Sequence, residues 1–435
     1  MSDPQASNQA VGGGGEPEAR SGSERGLKAV RLLIVAAVLG LVAAFAATLF
    51  EIVVHLAEDL LWSDLPSAAG WQEPPWWYVL ALPAFGGLLV ALALRLPGHG
   101  GHSPLHGLGT EPMTPLTLLS VLLAALATLG FGIVLGPEAP LMALGLTCGL
   151  VAARAVKAGA EETRVISLAG AFAVISTLFG GPLPSSLLLF EMVAAKGQVP
   201  SAKLGSILVP GLVAAGSGAL LFTGVDNWTG VSSFSFSLPS LPDYPTVRIV
   251  DLAWCLLVAV GSSLAVILSW RFAYIVADVA KRHQSAILVG AGFLVGLLAV
   301  VFRAITGQPV ELVLFSGQSA LPELIALSSA GVVLLLMLVK ALAYGLSLGA
   351  GFRGGGPVFP AAVLGIGVGV LAALVLPGLE PTPAIVTGLA AGSAAVLRAV
   401  LWCAVRNADG RFGGCRDGST GHPRGGDRLA DRGFL

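Results

Sequence analysis

The chain of 435 residues is 55% hydrophobic and only 11% charged, with a mean hydropathy of +0.85. A soluble domain carries about 25% charged residues, so this composition excludes a water-facing surface of ordinary size. A net charge of -1 excludes a basic nucleic-acid footprint, and four cysteines (Cys148, Cys255, Cys403, Cys415) without CxxC spacing suggest neither a zinc site nor a disulfide framework.

Residues 1–27 are rich in Gly, Ser, Glu and Pro and read as a disordered tail, not a signal peptide. Arg25, Lys28 and Arg31 precede the first apolar run, and the positive-inside rule puts that tail in the cytoplasm. The inner or plasma membrane is the expected location. Apolar runs near the ~20 residues that cross a bilayer follow at about 29–56, 76–96, 115–134, 137–156, 165–194, 203–223, 248–278, 285–304, 328–349, 357–377 and 382–402. A polar connection over 224–247 separates a first membrane half, 28–223, from a second, 248–402, and an atypical polar tail occupies 403–435. The expected fold is an all-α polytopic membrane protein.

Several runs are interrupted. Gly180-Gly181-Pro182-Leu183-Pro184 splits 165–194, and Pro137, Pro140, Pro357 and Pro360 stand at helix starts. Broken helices at membrane depth need protein or a watery cavity to satisfy the freed backbone, which favours a transport pathway over an anchor. The breaks also repeat. Residues 136–153 align with 356–373 at a constant offset of 220, agreeing at eight of eighteen positions, and both copies open with G-P-x-x-P. Duplicated halves with broken, re-entrant helices are a transporter and channel signature, so two inverted-repeat halves facing each other across a pathway are expected.

Glu138 lies in the first turn of the helix that Gly136 and Pro137 open, within an otherwise uncharged stretch from Pro115 to Ala153. A carboxylate at bilayer depth costs ~2.5 kcal/mol or more, so it carries a function or a partner. Helix N-termini bind anions through unpaired N–H groups, so Glu138 is a tethered anion in a site that a free anion could fill. The alternative is a carboxylate that only caps its own helix. The mirrored start at Gly356, Pro357, Val358 and Phe359 carries no acid. Arg353 and Lys340 are the basic residues between Arg303 and Arg398 and are candidates for attracting an anion; snorkelling to an interface is the other reading of Lys340. The loop around His99, His102 and His106 lacks the Cys or acid partners of a metal site, apart from Glu111, and no metal is expected.

These glycine-rich points, in this order over about residues 30–400, resemble the CLC family of chloride channels and proton-coupled chloride antiporters, in particular a divergent bacterial branch of ion transporters. The family's G-x-E-G-P is matched by Gly136-Pro137-Glu138-Ala139-Pro140, its G-S-G-I-P by Gly100-Gly101-His102-Ser103-Pro104, and its G-x-F-x-P by Gly356-Pro357-Val358-Phe359-Pro360. Phe179-Gly180-Gly181-Pro182-Leu183 looks like its F-N-A-P-L. The resemblance implies that Glu138 is the gating glutamate and that Gly101, Ser103, Gly136, Pro137, Ala139, Gly356, Val358 and Phe359 form the anion site. It also implies a homodimer with one pore per subunit and chloride as the carried anion. The apolar segments hold no nucleophile–base pair, metal motif or nucleotide loop, so neither an enzymatic activity nor a cofactor is expected.

The chain departs from the pattern at three points. The family's anion-coordinating serine falls on Gly101. Its inner proton-transfer glutamate falls on Met192, leaving Glu191 as the candidate for proton transfer. Its last helix, with a pore tyrosine, has no counterpart, because the chain is Gly-, Arg- and Asp-rich from Arg406 to Leu435, as a frame slip or truncation would make it. The expected function is therefore passive or proton-coupled transport of a small anion. A secondary transporter of another solute, or an inactive membrane remnant, are the alternatives.

Overall fold

The structure is a computed structural model that describes residues 16–107, 109, 111–195, 204–229, 238 and 241–408. Among these residues it is helical, with one isolated backbone bridge and no strand. The helices are α1 (Glu16–Asp59), α2 (Leu65–Ala68), α3 (Trp76–Ala93), α4 (Pro115–Leu129), α5 (Glu138–Ala155), α6 (Ala160–Leu178) and α7 (Pro182–Ala195), then α8 (Leu204–Thr229), α9 (Ile249–Ala280), α10 (Gln284–Thr306), α11 (Leu321–Ala326), α12 (Ala330–Gly349), α13 (Val358–Val375) and α14 (Pro381–Ala408). Eight described helices are long and apolar enough to cross a membrane. The protein is a multi-pass membrane protein.

Local sequence sets the ends of these helices. Thr114 caps α4 by accepting from the Thr117 amide, and Pro115 follows at the first helical position, where its missing N–H costs nothing. Gly307 ends α10 in the left-handed conformation, its amide donating to the Arg303 carbonyl. The break expected at 180–184 falls between α6 and α7, and Pro137 and Pro357 stand immediately before α5 and α13.

Three boundaries differ from the sequence reading. Helix α1 begins at Glu16, inside the segment read as a tail, because acidic residues suit a helix N-terminus and the apolar run behind them is already helical; residues 1–15 lie outside the described residues. Helix α8 continues to Thr229 and α14 to Ala408, past the expected limits at 223 and 402. Propagating an existing helix is easier than ending it, so polar residues extend it past the apolar run. Most of the polar connection between Thr229 and Leu241, and all of 409–435, lie outside the described residues.

The repeat is visible as packing. α5 crosses α6 where Gly145 and Gly170 lie so close that a Cβ on either would strike the other's backbone. α13 crosses α14 in the same way through Gly365 and Gly388. Lipid tails are as apolar as leucine, so helices in a membrane gain by close approach, which small residues allow. The halves also meet directly. Gly87 of α3 packs on the Leu288 backbone of α10, and Gly292 and Gly296 of α10 pack on Pro83 and Val79 of α3.

Replacing a crossing glycine should open these pairs. Gly145→Leu and Gly388→Leu should each lower stability in detergent by about 1–3 kcal/mol or abolish folding, as overpacking does. Gly216→Leu, on α8 with open space around it, should leave the melting temperature within a degree or two.

Candidate functional site

The two halves join at the points that the repeat makes equivalent. Gly136 and Gly356 form an antiparallel bridge, with the Gly136 amide donating to the Gly356 carbonyl at 2.8 Å and the Gly356 amide donating back to the Gly136 carbonyl. The segments leading to it, 132–138 and 354–360, are buried. Their backbone groups find partners across the halves. Thr128 donates to the Arg353 carbonyl at 2.7 Å, the Val134 amide donates to Ser347 Oγ at 3.3 Å, and the Phe315 amide donates to the Gly132 carbonyl at 3.2 Å.

From this bridge α5 and α13 run outward, each with its N-terminus at the join. Glu138 is 0% exposed and does not stay over its own helix. Its Oε1 accepts from the Phe359 amide at the start of α13, at 2.5 Å, and the amides of Val358 and of Glu138 itself also turn toward the carboxylate. Charge-assisted bonds and two helix dipoles offset the cost of a carboxylate at this depth. The fit is close. A Cβ at Gly356 would meet three atoms of Glu138, and one at Gly136 would meet its carboxylate. Glu138 Oε2 has no hydrogen-bond partner among the described residues. The arrangement is a set of amides at two helix starts, facing the protein's own carboxylate.

Other residues hold this site in place. Tyr344 of α12 is fully buried, donates to the Pro357 carbonyl at 2.7 Å and accepts from Trp270 Nε1 at 3.1 Å, which fixes the start of α13. The Phe359 ring packs on Phe179 at 5.4 Å between centroids, bringing the break between α6 and α7 to the same place. Ala139 and Ala143 of α5 line a cavity of about 20 Å³ with Gly100, His102, Glu111 and Gly354 among its walls. That is room for about one water or a small ion.

The remaining residues singled out in the sequence are placed as follows. Gly136, Ala139, Gly356, Val358 and Phe359 converge on Glu138 or the cavity beside it, and Pro137 precedes Glu138 in the same turn. Gly101 and Ser103 lie in the loop that borders the cavity. Gly101 accepts from Arg353 Nη1 at 2.9 Å, and Ser103 precedes the short 3-10 turn Pro104–His106. Arg353 thus ties the second-half loop to the first-half loop. Lys340 is buried with its Nζ on the carbonyls of Leu312, Val313 and Leu314 at 2.9, 3.2 and 3.2 Å. Its protons go to backbone left over by the 3-10 turn Val310–Leu312. Glu191 lies on α7 beyond the break, where only the backbone course is described.

Sequence reasoning missed two residues. Tyr344 shares its apolar helix with one other hydroxyl, Ser347, a signal present but unspecific. Glu51 of α1 is another buried carboxylate, close enough to Glu138 for their charges to interact. An acid in the middle of an apolar run was the signal that could have found it.

The contact between Gly356 and Glu138 is testable by rescue. Gly356→Ala should lower the melting temperature, and Glu138→Ala in the same chain should recover much of the loss, because the methyl then occupies space that the carboxylate has left. Additive losses would show that the methyl meets something else.

A family model described as voltage gated chloride channel matches residues 99–406. The "Putative ion-transport protein YfeO" of Escherichia coli (strain K12 / DH10B) is 28% identical over 329 residues, covering 73% of each chain, and its namesake in Shigella boydii serotype 4 (strain Sb227) matches equally. Among solved structures, a slow cyanobacterial Cl-/H+ antiporter superposes with a TM-score of 0.66 at 19% identity, covering 85% of this chain and 89% of that one. A CLC-type fluoride/proton antiporter gives 0.64 at 19% identity, covering 84% and 86%. At these identities the superpositions show a shared fold.

Proposed function

The chain belongs to the voltage gated chloride channel family, and we propose that it carries a small anion, chloride by preference, along a pathway that Glu138 closes. The observation that carries this reading is the Glu138 carboxylate accepting from the Phe359 amide at the start of the opposing helix. A group held there by amides and helix dipoles stands where a halide would be held by the same amides. When Glu138 swings away or takes a proton, the amides are freed for the anion. Amides alone do not distinguish anions sharply, and Gly101 offers no hydroxyl, so selectivity rests on size and dehydration. Family likeness supports a homodimer in the plasma membrane, with one pathway per subunit. The basic residues before the first span support a cytoplasmic N-terminus.

Glu138→Gln keeps the size and a hydrogen-bonding oxygen but removes the charge. It should bind chloride more tightly by calorimetry in detergent and abolish the pH dependence of chloride flux from proteoliposomes. If Glu138 only capped α5, the same change would cost about 0.3–1 kcal/mol of stability and leave anion binding as it was. Comparing chloride, fluoride, nitrate and sulfate in the same assay identifies the preferred anion.

Met192, where the resemblance places an inner proton carrier, cannot take up a proton. A chloride gradient should therefore fail to drive protons uphill in proteoliposomes. Sustained pumping would contradict this and point to Glu191, whose replacement by Gln should then uncouple the fluxes.

A further inference from the structure

Helix α1 carries a line of titratable side chains that the anion pathway does not use. Its position follows from one contact. Arg31, about a third of the way along α1, donates to the Val156 carbonyl, at the C-terminal end of α5, at 2.6 Å. The two helices pack against each other. Just beyond the C-terminal end of α1, Trp62 Nε1 donates at 3.1 Å to the carbonyl of Gly130, ahead of α5, so they run in opposite directions from the Arg31–Val156 contact. At 1.5 Å per residue, Glu51 lies about 30 Å along α1 from that contact, and Glu138 about 27 Å along α5. The two carboxylates stand at the same level in the bundle.

Glu51 is buried, as Glu138 is. Its side chain is 8% exposed, and its Oε1 has no hydrogen-bond partner among the described residues, as Glu138 Oε2 has none. One turn further along α1, His55 stands between two acids. Its Nε2 lies 3.9 Å from Glu51 Oε2, and its Nδ1 lies 3.2 Å from Glu58 Oε2. His55 is 37% exposed, Glu58 is partly exposed and Asp59 is exposed. The helix then enters a cluster of aromatic residues, with Trp71, Trp77 and Tyr78 packed edge to face and Trp76 and Trp77 exposed. Such aromatic belts mark a membrane–water interface. The line therefore runs from the buried gate to the level of the headgroups.

We propose that Glu51, His55 and Glu58 form a proton path between the solvent at the C-terminal end of α1 and the Glu138 carboxylate. The proposal rests on Glu138 acting as the gate. A proton from water is taken up at Glu58 or Asp59 and passes to Nδ1 of His55. Nε2 then releases its proton to Glu51, and the imidazole returns to its starting tautomer by ring rotation. The O–H bond on Glu51 breaks as one forms on Glu138 Oε2, through a bridging water. Glu51 is left as a carboxylate, ready for the next proton. An imidazole whose two nitrogens face two carboxylates is suited to this work, because it accepts at one nitrogen while donating from the other. The charged groups acting on Glu51 are His55, Glu58 and Glu138, and those acting on His55 are Glu58, Glu51 and Asp59. Protons arriving from one side of the membrane would open the gate without being carried across, which agrees with the apolar Met192 on the other branch.

The test is chloride flux after a pH step applied separately to each face of a bilayer containing the full chain. The wild type should respond to acid on the face at the C-terminal end of α1. Glu51→Gln and His55→Gln should slow that response by roughly a hundredfold, the scale of losing a positioned proton donor, while chloride affinity by calorimetry stays within twofold. Glu51→Asp, which keeps a titratable group, should recover part of the rate, so a merely structural loss is recognised. Adding Glu51→Gln to Glu138→Gln should change nothing further. Asp278→Asn, on the exposed end of α9, should respond as wild type. A normal response in Glu51→Gln, with the response lost in Glu138→Gln, would overturn the path and leave the gate standing. A normal response in Glu138→Gln would remove the gate itself, and the path with it.

Discussion

The structure depends on one unfavourable arrangement made tolerable, a carboxylate with no counter-ion among the described residues, buried where two helices begin. Glu138 is fully buried, so its charge is met by dipoles already in the fold. The N-termini of α5 and α13 provide them, because the first amides of a helix have no carbonyl within it to bond. Placing two such ends together requires both helices to begin at mid-depth. That requires the preceding backbone to run extended through the interior, where each N–H and C=O needs a partner.

The Gly136–Gly356 bridge answers that requirement. Two irregular segments, neither of which pairs all of its own backbone, exchange two hydrogen bonds there. Equivalent residues pair because the halves are inverted copies, so the join lies on their pseudo-symmetry axis. Glycine is required at both positions because the Glu138 side chain fills the space where a Cβ would go. The symmetry is broken only in the chemistry. The first half contributes the carboxylate and the second receives it on the Phe359 amide.

The basic residues near the site serve the same need for backbone partners. An ammonium group has three N–H donors, and Lys340 spends them on three consecutive carbonyls at the end of a 3-10 turn. Arg353 reaches across the halves to the Gly101 carbonyl. Both cations are thus taken up by the carbonyls of irregular loops.

Much of this was legible in the amino-acid order. Apolar runs determined the helices, prolines and glycines determined where they break, and the offset of 220 already identified Gly136 and Gly356 as equivalents. Glu138 was conspicuous as a lone charge at a helix start. These features are local or periodic, and hydropathy and backbone stereochemistry act on neighbours in sequence. Partners were another matter. That Glu138 bonds the Phe359 amide and not its own helix alone, that Lys340 is consumed by carbonyls, and that Glu51 stands level with Glu138 all depend on how far one helix slides along another. That distance is decided by glycine crossings such as Gly145 on Gly170 and by contacts such as Arg31 on Val156, between residues far apart in the chain. Packing across the whole bundle sets it, and no single stretch of sequence contains it.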